Sequence, residues 1–401
     1  MDFSKIRKYL KPALIAADVI VMSTFAVGVF YLSNNQVNWA VNHANTRNFT
    51  PTITPAYTVD KPVTVVQPEN EIKSNEEEKE TPVYTEISSP DYSGGFQWGV
   101  TMRPNAIGSY TPAYWQAQIE KAKELGVNYA RVNWDYNVGN TFSYTDKIIG
   151  KLKDSGIEPY LIIEHNPKDG YNNLYQNGYD DGNSIASYYK GKISFYQMDN
   201  EVGAQAIKDP TFSGVNEWDF DDGKYQKVKE YMRGLSDGIS AADSSATKMV
   251  TISLMHTGFL DKLQNDGIAY DMIGIDWYDW MGNFFTRKIS NNRTLFQKLK
   301  SFGKPLIFAE INSLPQKDPD TNQKTVVDEA HQADFIRTHA ELAWQNRRWV
   351  KGFYVLELVD NILIDPKYLE YYGLLKVPKA GQIGEPRQSF GAYQEVIRAA
   401  N

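Results

Sequence analysis

Beyond Gly95 the chain alternates between short apolar runs of strand length and longer stretches in which apolar residues recur every three or four positions. The runs fall at 96–102, 129–135, 159–164, 193–198, 249–255, 272–277, 305–309 and 352–358. Near-continuous apolar strands are those covered on both faces, as in a parallel sheet. Between them the periodicity predicts helices such as 112–125, 146–155, 225–242, 293–302 and 327–346. In the first, Ile119, Ala122 and Leu125 recur at helical spacing and Gly126 follows as a C-cap. Eight strand–helix units predict an α/β protein, a (β/α)8 TIM barrel over 95–401. A doubly wound sheet is the competing architecture, but the first strand runs through Met102 into Arg103 and Pro104 without a glycine-rich phosphate loop. The tyrosine-rich stretch 171–189 is read as an insertion between the third and fourth strands, either a cleft wall or a solvated loop.

The N-terminal quarter has a different texture. Residues 13–32 form a mostly apolar stretch about as long as a bilayer core requires. Lys5, Arg7, Lys8 and Lys11 precede it and the next basic residue is Arg47, so positive charge places residues 1–12 in the cytoplasm. An uncleaved signal anchor is expected, with the chain single-pass in the cell membrane and its catalytic part extracytoplasmic. A cleaved signal peptide, giving a secreted protein, is the competing reading, against which stand the long apolar region and the lack of a clean A-x-A site. Residues 33–94, rich in Pro, Thr, Asn and Glu and carrying the acidic run at 76–80, are expected to be a disordered linker.

Net charge −7 and a pI near 5.4 leave no basic field for nucleic acid and fit a neutral or polar partner better. Cysteine is absent, which removes disulfides and thiolate chemistry. The five histidines form no H-x-H or H-E-x-x-H pair, and neither a metal nor an organic cofactor is expected.

Barrel enzymes place their chemistry at the C-terminal ends of the strands. The fourth strand runs into Asn200 and Glu201, and the seventh ends in Glu310. Arg131, Asn133 and Asp135 fall on the second strand, Glu164 and His165 end the third, and His256 follows the fifth. Asp276 and Tyr278 lie on the sixth strand and Glu357 on the eighth. Burying so many ionisable groups would be costly in an inert barrel, where Val, Ile and Leu are expected instead. Trp98, Trp134, Trp277 and Trp280 also sit near strand ends, where they either stack against sugar faces or fill the barrel top.

Asn200-Glu201 on the fourth strand, Glu310 on the seventh, Arg131 on the second and Tyr278 on the sixth together resemble the clan of retaining (β/α)8 glycoside hydrolases that includes the family 5 cellulases and mannanases. The resemblance implies a glycosidase cleaving a β-linked polysaccharide or glycan, with Glu201 as general acid/base and Glu310 as nucleophile. It implies that Arg131 and Tyr278 hold Glu310 ionised and that Asn200 meets the sugar 2-hydroxyl. His165 and His256 are assigned to sugar contact, carboxylate orientation or a structural role. The chain departs from the clan in two places. The eighth strand has no tryptophan platform, leaving Glu357 to contact sugar or pair with Arg131, and the sixth carries Asp276 where the clan often has His or Asn. A non-catalytic carbohydrate-binding surface protein on a degenerate barrel is the alternative, and an intracellular metabolic barrel conflicts with the anchor.

Overall fold

The computed structural model describes residues 88–102, 112–135, 142–164, 173–209, 212–290, 292–313, 316–317, 325–326, 328–360, 371–377 and 383–400. The expected membrane helix at 13–32 and the linker as far as residue 87 lie outside the described residues. Among the described residues no helix is long and apolar enough to cross a membrane.

Eight parallel strands close into a barrel: β1 (Gln97–Met102), β2 (Tyr129–Asp135), β3 (Glu158–Glu164), β4 (Phe195–Met198), β5 (Thr247–Ser253), β6 (Met272–Tyr278), β7 (Leu306–Asn312) and β8 (Val350–Val355). Each pairs with the next, and β8 closes on β1. The outer layer contains helices α1 (Trp115–Leu125), α2 (Phe142–Asp154), α3 (Leu174–Tyr189), α4 (Asp222–Ala242), α5 (Thr257–Asn265), α6 (Leu295–Lys300), α7 (Glu329–Gln345) and α8 (Gln388–Ala400). Local chemistry sets several starts: Asn173, Asp221, Thr294 and Asp328 each accept a backbone N–H of the first turn of α3, α4, α6 and α7.

The two-residue period of the strands splits the core. Tyr160, Ile162, Phe195, Met249, Met272, Ile307, Ala309 and Tyr354 pack together inside the barrel, while alternate neighbours such as Leu161, Ile163, Ile273 and Phe308 join the larger layer under the helices. Gly99 faces inward, since a Cβ there would lie 2.1 Å from the Tyr354 ring. Its neighbour Trp98 therefore points outward and packs against Trp344, Phe353 and Tyr393 with ring centroids 6.0, 6.4 and 6.0 Å away. Trp98 is thus a core residue and no sugar platform. The same alternation turns Trp277 away from the lumen, where its indole N–H donates to the Gly282 carbonyl at 2.8 Å and its ring meets Phe284 edge-on.

The expected insertion at 171–189 is corrected by α3, which begins after the Asn173 cap. Four glycines let α3 lie directly on α4. A Cβ at Gly178 would meet the Tyr231 carbonyl oxygen at 2.2 Å, and one at Gly182 the Leu235 oxygen at 2.5 Å. From the other side, Gly234 and Gly238 would meet the oxygens of Tyr175 and Tyr179 at 1.9 and 2.2 Å. Glycine is a poor helix former in isolation, so these positions hide the helix from propensity reasoning and pay off only in contact. Gly234→Ala should destabilise the protein by about 1–3 kcal/mol, because the obstructing atoms are backbone. Gly150→Ala in α2, where a Cβ meets nothing within 4 Å, should instead stabilise by about 0.5–1 kcal/mol. Denaturant unfolding of the two variants checks both signs.

Candidate active site

Inward positions change from apolar to polar towards the C-terminal ends of the strands. On β6 the sequence Met272, Gly274, Asp276, Tyr278 shows the change, and on β5 it is Met249, Thr251, Ser253. On β7 alternation alone would turn Glu310 outward, since Ala309 already faces the lumen. The pairing between β6 and β7 slips there, from Ile275 opposite Phe308 to Asp276 opposite Glu310. One extra residue on β7 is a β-bulge, which re-aims the next side chain, and it is what delivers Glu310 to the mouth.

Arg131 organises this polar layer. Its guanidinium, 1 % exposed, donates from Nη1 to Glu310 Oε1 at 2.7 Å, from Nη2 to Asn200 Oδ1 at 2.7 Å and from Nε to Gln197 Oε1 at 3.0 Å. Burial, the largest single influence, works against its charge, but Glu310 together with Tyr160, Asp276 and Glu164 outweighs it and raises its proton affinity. The Tyr278 hydroxyl donates to Glu310 Oε2 at 2.7 Å. Burial, then the charge of Glu310, pushes the phenol well above its usual range, so it stays a donor. Both oxygens of Glu310 are therefore held.

Asn200 and Glu201 lie past the end of β4 rather than on it. Asp199 and Glu201 adopt left-handed backbone, with φ of 60° and 47°, conformations that non-glycine residues seldom take. Hydrogen bonds fix the turn: Asn200 N–H donates to Asp199 Oδ1 at 2.7 Å, Glu201 N–H to Thr251 Oγ1 at 3.0 Å, and Gln197 Nε2 to the Asp199 carbonyl at 3.0 Å. Gln197 Nε2 also donates to Asn200 Oδ1 at 2.8 Å. The carboxyls of Glu201 and Asp276 are within hydrogen-bonding contact. Burial first, then the charge of Glu310, pushes Glu201 up to about 8.

The structure thus brings Arg131, Asn200, Glu201, Tyr278 and Glu310 together. It places other expected residues elsewhere. His256 caps the start of α5, 2 % exposed, with Phe220 edge-on and Gly214 against its ring, and neither ring nitrogen has a hydrogen-bond partner among the described residues. Burial lowers it to about 4, so it is a neutral packing residue. Glu357 is buried beyond the end of β8, after a cis Leu356–Glu357 peptide, whereas the hydrogen bonds of Arg131 run to Glu310, Asn200 and Gln197. Trp280 is 43 % exposed in the turn after β6. His165 and the side chains of Trp134 and Asp135 lie outside the described residues. Gln197 and Thr251 were missed, although each is a polar residue at an alternate position of an otherwise apolar strand.

No family model matches the chain, and comparison with curated proteins gives no match. Among solved structures it is similar to a family 1 β-glucosidase from Thermotoga maritima at TM-score 0.54 and 15 % identity, covering 78 % of this chain and 99 % of that one. It is also similar to the Thermotoga maritima β-glucosidase in complex with cyclophellitol, at TM-score 0.53 and 14 % identity over 77 % of this chain and 99 % of that one. At such identity the likeness is one of fold. It agrees with the closed barrel expected from the sequence.

Two outcomes follow from this geometry. Arg131→Met leaves a buried carboxylate without its cation and should cost about 3–5 kcal/mol, much of it recovered by adding Glu310→Gln, as read by denaturant unfolding. The folded protein keeps a proton on Glu201 that the unfolded chain releases near 4.5, so this contribution to stability is full below 4.5 and is lost as pH rises through about 8. The thermal midpoint of Glu201→Gln relative to the parent should therefore be higher at pH 8 than at pH 4.5.

Proposed function

We propose that the protein is a retaining glycoside hydrolase that cleaves O-glycosidic bonds of a β-linked polysaccharide or glycan. The observation that carries this reading is the unequal treatment of two glutamates. Glu310 is held on both oxygens by Arg131 and Tyr278, while Glu201, from the β4 turn, has its proton affinity raised by burial and by the charge of Glu310. Retaining hydrolysis needs that division: one carboxylate ionised to attack and one carboxyl protonated to give.

Glu310 attacks the anomeric carbon while the bond to the leaving oxygen breaks and Glu201 transfers its proton to that oxygen. Water then attacks the anomeric carbon of the glycosyl-enzyme, its proton passes to Glu201, and Glu310 leaves, so both residues return to their starting states. Asn200 accepts from Arg131 and Gln197 through its oxygen, which directs its amide nitrogen the other way, as a donor to the sugar 2-hydroxyl. The shared fold with a β-glucosidase supports a β-glycoside as substrate class. In this reading residues 13–32 anchor the protein in the cell membrane as a single pass with the barrel outside the cytoplasm, or are cleaved to release it.

Reducing-sugar release by the full chain on β-glucans, mannans, xylans, galactans and cell-wall glycans tests the proposal. Activity in the parent that falls by about three orders of magnitude or more in Glu310→Gln supports it. Equal activity in the two removes Glu310 from the nucleophile role, and glycan binding without release by a folded parent favours the non-catalytic binder.

A further inference from the structure

Asp276 belongs to the polar layer but has none of the donors that hold Glu310. It sits on β6 at an inward position, 0 % exposed, opposite Glu310 on β7 and Ser253 on β5. No N–H or hydroxyl among the described residues donates to either of its oxygens. Its contact is the carboxyl of Glu201. Two carboxylates have only acceptor atoms, so such a contact requires a proton on one of them.

The charges around the pair decide where that proton rests. Arg131 faces it from β2, Tyr160 and Glu164 from β3, Glu201 from the β4 turn, Tyr278 from β6 itself and Glu310 from β7. Among the described residues the facing elements supply a single guanidinium, whose Nη1 is bonded to Glu310. An ionised Asp276 would thus be buried, undonated and opposite a second carboxylate, the circumstances that drive a carboxyl to its neutral form. Burial, then Glu310 and Glu201, raises Asp276 well above the carboxylate range, in agreement with that placement.

We propose that Asp276 works as a protonated acid: a positioning residue whose hydroxyl donates to Glu201 and stabilises the carboxylate that Glu201 becomes once it has given its proton to the leaving group. The idea rests on the reading of Glu201 as acid/base. A buried acid kept neutral so that it can donate is an established device in enzyme sites. Here the donated bond eases loss of the proton from Glu201, which burial alone would retain too firmly, and holds the carboxylate in place to take a proton from water in the second step.

The test uses the full chain, a nitrophenyl β-glucoside and the responsive substrate of the panel above as probes, and two variants. Asp276→Asn retains a donor of similar shape and should leave the alkaline limb of kcat near the parent's. Asp276→Val removes the donor and should move that limb up by about one pH unit. An ionised Asp276 predicts the opposite sign, because removing a negative charge would move the limb down in both variants, and a downward shift in Asp276→Asn alone suffices to overturn the proposal. Infrared difference spectra supply a readout that needs no substrate. A protonated-carboxyl band present at neutral pH in the parent and lost in Asp276→Asn supports the neutral acid, and identical spectra sink it. The band without hydrolysis of any probe would sink the glycosidase reading and with it the role at Glu201, while leaving the protonation of Asp276 established.

Discussion

A guanidinium inside a barrel is the constraint on which the rest of this site depends. Arg131 is withdrawn from water at the level where the lumen turns polar, and the cost of that withdrawal is offset by good geometry on three sides. Its bonds to Glu310, Asn200 and Gln197 link β2, β4, β7 and the turn after β4 across the mouth. Because Gln197 also holds the carbonyl of Asp199, the left-handed turn that carries Glu201 is tied to the same network.

That network contains more acid than base. One carboxylate takes the guanidinium and a phenol, while burial and that carboxylate raise the proton affinity of Glu201 and Asp276. The unequal treatment of Glu310 and Glu201 thus follows from a single guanidinium among the described residues of the layer, bonded to Glu310. His256, buried and neutral, takes part in neither half of it.

The scaffold meets these demands by breaking regularity where the site requires it. A bulge in β7 turns Glu310 inward, and left-handed residues after β4 turn Asn200 and Glu201 towards it. In the outer layer, glycines on α3 and α4 serve close packing.

The sequence by itself determined the barrel, because near-continuous apolar runs alternating with helical periodicity can bury both faces of a sheet in few other ways. It also showed a ring of polar groups at the strand ends, because such groups in buried strands demand a partner, while the resemblance to the glycoside hydrolase clan singled out Arg131, Asn200, Glu201, Tyr278 and Glu310 among them. The helix α3 was hidden, since glycines that read as helix-breaking are favourable only against a partner helix. Trp98 and Trp277 were misplaced because proximity to a strand end does not fix which face a side chain takes; one residue of register exchanges lumen for outer layer. Asp276 was visible as an oddity, but its partner lies two strands away in the closed barrel. The tertiary structure alone decided the inward turn of Glu310, the roles of Gln197 and Thr251, and the pairing of Asp276 with Glu201, because each depends on pairing between strands distant in the chain.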